Sequence, residues 1–155
     1  MKKMTIWGVG PKIMAPGYFI LFILSWIPVK ISITGIINIP GLYLIVIAFI
    51  LICMGIIMLA AANSDIKKAI KTNQLITTGM FSRIRNPMYA AHIFFLIPGV
   101  CLLTNNTITL FSIICTVILF NILIPKEEKV LEENFGIEYI NYKNRVGRLL
   151  PKLNI

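Results

Sequence analysis

The chain has 155 residues, of which 57% are hydrophobic and only 14% charged, with a mean hydropathy of +0.85. An apolar share this large has to face lipid or aggregate, which excludes an ordinary water-soluble domain and indicates a membrane class. The net charge of +9 is confined to short polar segments between apolar runs, where it suits anionic headgroups and leaves no free basic stripe for nucleic acid.

A helix needs about 20 apolar residues to cross the hydrocarbon core. The first candidate runs from Ile13 to Val29, with Pro16 near its start and Pro28 near its end. Met1-Lys2-Lys3 precedes it, but Pro11, Lys12 and Pro16 interrupt the approach and no small-x-small cleavage pattern follows. It is therefore expected to be a retained span rather than a removed leader. Residues 30–40 form a fairly apolar connector, either a loop or a re-entrant segment. The second span, Gly41 to Ala62, carries no charge, and Asn63-Ser64-Asp65 is expected to end it.

Residues 64–88 are the longest polar stretch between spans and hold Lys67, Lys68, Lys71, Arg83 and Arg85. A third span follows from Tyr89 to Leu103, with His92 and Pro98 inside it. Thr104-Asn105-Asn106 predicts a tight turn, and a fourth span runs from Thr107 to Ile124, closed by Pro125. With both termini on the cytoplasmic side, every Lys and Arg except Lys30 falls on that side, as the positive-inside rule requires. The same topology puts residues 75–89 and the tail 126–151 on one face.

The tail is itself patterned. Leu131, Phe135, Tyr139 and Tyr142 recur at helical spacing along one stripe. Glu127, Glu128, Glu132 and Glu133 lie early in a first helical piece, where carboxylates favour the positive end of the dipole. Gly136 is placed to end that piece, and a second short helix is expected from Ile137 to Arg145. The fold class is thus all-α: an integral membrane bundle of about four transmembrane helices with a C-terminal, cytoplasmic, amphipathic helical segment. Cys53, Cys101 and Cys115 lie in apolar runs without metal spacing and read as packing residues, so no metal site is expected. Gly8-Val9-Gly10 runs into proline rather than a helix and is no phosphate loop.

Two motifs carry a family likeness. The second loop reads Thr77-Thr78-Gly79-Met80-Phe81-Ser82-Arg83-Ile84-Arg85-Asn86-Pro87-Met88-Tyr89. The tail supplies Glu127-Glu128, Leu131, Phe135-Gly136, Tyr139, Tyr142, Val146, Arg148 and Pro151. Together, over about half the chain, they resemble the isoprenylcysteine carboxyl methyltransferase family and its relatives among the phospholipid methyltransferases. That family has a Gly-x-Tyr turn, an Arg-His-Pro or Arg-Asn-Pro with Tyr two residues on, and later a Glu-Glu pair, Phe-Gly and spaced tyrosines. Phe81 departs from the pattern by lacking a hydroxyl. Asn86 stands where many members carry His, and it keeps hydrogen-bonding capacity but does not titrate.

The resemblance implies an S-adenosyl-L-methionine site built from the loop and the tail. Its cofactor-binding residues would be Gly79, Arg85, Asn86, Pro87, Tyr89, Glu127, Glu128, Tyr139 and Tyr142, with Arg85 and Glu128 in the catalytic roles. Arg85 suits a carboxylate held bidentately. Glu127 and Glu128 diverge by about 100° on a helix, so one would face the cofactor and the other would pair with a loop arginine. Pro87 biases Asn86 away from helix, leaving backbone groups free for a ligand. His92 is the only histidine and shares a helix face with Tyr89. It is a candidate substrate contact or proton acceptor, or else a neutral group bonded to a neighbouring helix. Arg145 and Arg148 are further substrate candidates, equally suited to headgroups. The methyl acceptor would be a lipophilic small molecule or prenylated chain reached from the bilayer. A reductase of the membrane steroid and sterol type using NADPH, or a non-enzymatic scaffold, are the competing expectations.

Overall fold

The computed structural model describes residues 10–27, 32–72 and 74–152. Helix α1 spans Gly10–Ser25, a short α2 spans Ile33–Ile37, and α3 spans Gly41–Thr72. After a 3-10 turn at Gly79–Ser82, α4 (Pro87–Ala91), a π turn (His92–Leu96) and α5 (Ile97–Thr104) form one continuous rod. A second 3-10 turn at Thr107–Leu110 leads into α6 (Phe111–Phe135), and α7 (Ile137–Arg145) follows Gly136. Among the described residues there is no strand, only isolated bridges between Ser32 and Asn106 and between Ile84 and Gly147.

Three of these helical stretches are long and apolar enough to cross a membrane: Gly41–Lys68, Pro87–Thr104 and Thr107–Phe135. Their outward faces are apolar, with Leu42 69% and Ile57 68% exposed on α3, as lipid contact demands. The 16 residues of α1 make it shorter than a full crossing. It begins three residues before the expected Ile13, and the end of the expected span at Pro28 and Val29 lies outside the described residues. Residues 32–40 of the connector hold α2, capped by Ser32 at its start and by Asn38 in the left-handed region at its end.

At two expected span ends the helix itself continues. Asn63-Ser64-Asp65 does not stop α3, which continues to Thr72. These residues are mediocre helix formers, but each adds one bond to a helix already nucleated by the long apolar run before it. Pro125 does not close the fourth span either, because α6 runs through it to Phe135. Proline costs about 3 kcal/mol in a helix interior by removing one amide bond. Here the flanking turns are held by buried Ile124 on one side and buried Glu128 on the other, and Pro125 itself is exposed. The helix ends instead at Gly136, whose φ of 54° combined with ψ of −128° is a conformation that favours a residue without Cβ.

The interior is built where the rods meet. Ile13 of α1 packs with Tyr89 and Ile93 of the third rod and with Phe120 and Ile124 of α6. Leu21, Ile97 and Cys101 form a second cluster toward the other end. A third lies outside the spans, where Tyr139, Tyr142 and Val146 pack with Leu75, Leu131 and Phe135. The helical stripe read from the tail is thus intact, but it closes on the loop before the third rod, within the protein.

The bundle is tied at both ends. At one end Asn105 accepts from the Thr34 amide at 3.1 Å and donates to the Thr34 hydroxyl at 3.1 Å. Asn106 donates to the carbonyls of Leu24 and Ile27, at 3.3 and 3.1 Å. The opposite end, where the 74–86 loop meets the tail, carries the charges.

Candidate functional site

Asn86 precedes Pro87 and has non-helical backbone angles (φ −127°, ψ 61°), as expected for a residue before proline. The chain here is not helical, so its amides are free to reach another segment of chain. The Arg85 amide donates to the Gly147 carbonyl at 2.8 Å, and the Asn86 amide donates to the Arg148 carbonyl at 3.1 Å. The Asn86 side-chain amide donates to that same Arg148 carbonyl, also at 3.1 Å. Loop and tail are therefore joined along the backbone directly beneath the start of the third rod, where Pro87 is buried at the first helical position.

The loop is shaped further back by Gly79. Its φ of +60° and the Asp65 carboxylate packed against its Cα both exclude a larger residue. Tyr142 closes the other side by donating to the Phe81 carbonyl at 2.7 Å.

Glu128 is the centre of the charge cluster. It is 4% exposed, a depth at which a carboxylate persists only when paired. Arg148 supplies two bonds, Nε to Oε1 at 3.2 Å and Nη2 to Oε2 at 2.9 Å. Arg85 Nη1 stands 2.9 Å from Oε1, and Lys143 Nζ 3.7 Å from Oε2. Lys143 also holds Glu132 at 2.6 Å. Cations thus outnumber carboxylates in the cluster.

Arg85 is left with capacity. Its side chain is 8% exposed, yet Nε and Nη1 have no hydrogen-bond acceptor. The contact of Nη1 with Glu128 is short but misaligned, so it attracts as an ion pair without using the N–H. Buried donors without acceptors cost about 1–3 kcal/mol each, and such groups mark places where a ligand brings the missing acceptor.

Glu127, next to Glu128 but turned away from it, accepts from the Tyr89 hydroxyl at 3.0 Å. The adjacent carboxylates do diverge: one is locked to the arginines and the other faces Tyr89. Tyr89 in turn stacks tilted on Phe120, with centroids 5.3 Å apart.

Tyr139 and Tyr142 are buried beside the cluster. Burial pushes the Tyr139 hydroxyl up to about 12, with the Glu128 charge adding and the Arg85 cation opposing. The Tyr142 hydroxyl is also pushed up, first by burial and then by Tyr139. Both stay neutral at ordinary pH.

The loop and tail residues singled out from the sequence therefore come together, with two separations. Arg145 ends α7 on an exposed face, apart from Glu128. His92 lies within the third rod, where its Nδ1 is 2.7 Å from the Tyr18 hydroxyl of α1. Sequence reasoning passed over Asp65, Lys143 and Tyr18. Lys143 follows a motif tyrosine but has no spacing that ties it to Glu128. Tyr18 did have a signal, a hydroxyl inside an apolar run opposite a lone histidine.

Comparison with known proteins covers the same segments of the chain. A family model described as phospholipid methyltransferase matches residues 36–138, which include the Arg85-Asn86-Pro87 loop and the Glu127-Glu128 pair. A protein-S-isoprenylcysteine O-methyltransferase of Saccharomyces cerevisiae (strain ATCC 204508 / S288c) is 38% identical over 77 residues, which are 50% of this chain and 32% of that protein. The chain thus spans about a third of the length of that relative. With the family model covering well over half of its residues, from α2 to the start of α7, this chain belongs to the phospholipid methyltransferase family.

Proposed function

We propose that the chain is an S-adenosyl-L-methionine-dependent methyltransferase that works at the membrane on a lipophilic acceptor, with both termini and the loop–tail site on the cytoplasmic side. The observation that carries this reading is Arg85, a buried guanidinium with two N–H-bearing nitrogens lacking acceptors, set within the Glu128 cluster. The donor set fits the cofactor. Its carboxylate supplies acceptors for Arg85, while its ammonium and ribose hydroxyls match the Glu127 carboxylate beside Tyr89. Asn86 and Tyr89 hydrogen-bond its polar atoms, and Gly79 and Pro87 shape the approach. When bound, the cofactor supplies an electrophilic methyl group on a sulfonium.

What remains for the protein is alignment and exclusion of water, which together are worth several kcal/mol of barrier. Arg85 is the catalytic residue in this sense, because it holds the donor in place. Glu128 acts through Arg85 and Arg148 by fixing both guanidinium planes. Tyr139 and Tyr142 complete the wall that binds the cofactor and brace the loop on which Arg85 stands. Arg145, on the exposed face of α7, meets lipid headgroups or the acceptor's polar end. The acceptor enters from the bilayer, either as a lipid-like small molecule or as a prenylated chain.

Calorimetry in detergent tests this. Purified protein should bind S-adenosylhomocysteine, and Arg85→Ala should weaken binding at least tenfold, the loss expected for charge-assisted bonds. No heat with either S-adenosylmethionine or its product, and heat with NADPH, would replace the proposal with a reductase.

A further inference from the structure

The outer face of α6 differs from that of α3. Between Leu42 and Ile57 the exposed side of α3 carries no amide and no charge, so any acyl chain suits it. On α6 an exposed apolar stripe of Phe111, Ile114, Ile118 and Ile122 is continued by exposed Asn121, Pro125, Lys126 and Lys129. At 3.6 residues per turn these positions fall within about 140° of one another, on one side of the rod.

Two features set this strip apart. The first is Asn121, whose side-chain amide donates back to the Val117 carbonyl at 2.9 Å. That bond uses one amide hydrogen and leaves the other, together with the side-chain carbonyl. Four residues on, Pro125 has no N–H to give, so the Asn121 backbone carbonyl lacks its regular helical donor. Asn121 thus concentrates hydrogen-bonding capacity on the side that meets lipid. Hydrocarbon cannot satisfy such groups, which places them at the depth of ester carbonyls and the first water.

The second feature is the pair of lysines. Lys126 and Lys129 are exposed just beyond the apolar run, about 7 and 12 Å along the rod from Asn121. Neither forms an ion pair among the described residues. Glu127 and Glu128 are turned inward, to Tyr89 and to the arginines, and Glu133 stands one turn further from the bilayer than Lys129.

We propose that this face of α6 binds one anionic phospholipid. Its phosphate sits between Lys126 and Lys129, whose long stems bring both ammoniums to it. One glycerol unit deeper, an ester carbonyl accepts the remaining amide hydrogen of Asn121, and an acyl chain lies along Ile122, Ile118 and Ile114. The match is one of charge, since each cation near the surface attracts anionic lipid. A zwitterionic lipid carries an ammonium of its own that competes for the phosphate. An occupied site braces the rod at Pro125, where one helical bond is missing, and so stabilises the fold.

Thermal unfolding in dodecylmaltoside micelles tests this, with phosphatidylglycerol, phosphatidylcholine and inorganic phosphate as probes. Phosphatidylglycerol should raise the melting temperature by about 3 °C or more, and the other two by about 1 °C or less. Native mass spectrometry should retain one phosphatidylglycerol per chain. Lys126→Gln combined with Lys129→Gln should raise the half-maximal phosphatidylglycerol concentration about tenfold or more. Asn121→Leu should raise it about threefold, the effect of one hydrogen bond, without lowering the melting temperature in lipid-free micelles. Lys67→Gln, which removes an exposed cation of α3, is the control and should change it less than about twofold. Equal losses from Lys67→Gln and from the lysine pair would mean attraction by net charge alone and would overturn the site. An equal gain from phosphatidylcholine or inorganic phosphate would overturn it too. These readouts need neither cofactor nor methyl transfer, so their failure is distinct from failure of the calorimetry above.

Discussion

At one end of the bundle Asn105 and Asn106 tie α1, α2 and the turn after α5 with neutral bonds, and each amide group is matched to a carbonyl, amide or hydroxyl. At the other end Arg85, Arg148 and Lys143 crowd around Glu128, and Arg85 keeps donors with no acceptor. Both ends fasten helices, and both do so with turns of a few residues. They differ in whether the bonding is complete. A closed set of neutral bonds stabilises and has nothing left for a ligand, whereas a cluster with an excess of buried cation stabilises less and retains binding capacity. Complete bonding and spare hydrogen-bonding capacity thus lie at opposite poles of the same fold.

The contrast is most directly broken at Glu128. Glu128→Ala leaves Arg85 and Arg148 without their shared anion, and removing one partner of a buried pair costs on the order of 3–5 kcal/mol. Denaturant unfolding in mild detergent should show that loss, with methyl transfer falling to background. Arg85→Lys is the next largest. It keeps the charge but not the planar fork, so S-adenosylhomocysteine affinity should fall about tenfold while the melting temperature moves little. At the opposite pole Asn105→Ala should do the reverse. Two hydrogen bonds to Thr34 are lost, costing about 1–2 kcal/mol in stability. Cofactor affinity should stay within about twofold, and a larger change would mean that the poles are coupled.

The smallest effect expected is alkaline. The Tyr139 hydroxyl is raised from 10.0 to about 12 in the folded protein, so the folded state holds its proton longer than the unfolded state does. The resulting stabilisation is complete below pH 10.0 and is lost as pH rises from there through about 12. Tyr139→Phe should flatten that part of the stability profile, read as unfolding midpoint against pH.

The apolar runs were legible because lipid imposes a simple demand on them, and the three long stretches fall where continuous hydrophobicity puts them. The meeting of the Arg85 loop with Glu128 was also legible, since the distribution of basic residues places both segments on one side. The helix ends were not. Asn63-Ser64-Asp65 and Pro125 are local stop signals, and both were overridden by neighbours that hold the helix on either side. Lys143 reaches Glu128 only because Gly136 turns α7 back along α6, a reversal whose angle no spacing in the chain encodes. Tyr18 and His92 are 74 positions apart, and their contact follows from how α1 leans on the bundle.

The passage of α6 through Pro125 has a consequence for reach. Ile124, gripped by the apolar interior, and Glu128, gripped by the arginines, belong to one unbroken rod, separated by a single turn of roughly 6 Å. A hinge at the proline would let the charged head ride up or down against the bilayer. Without one, the rod fixes the distance between the apolar interior and the charged cluster, and under the proposed methyl-transfer reading it would act as a gauge of the height at which an acceptor's head is met.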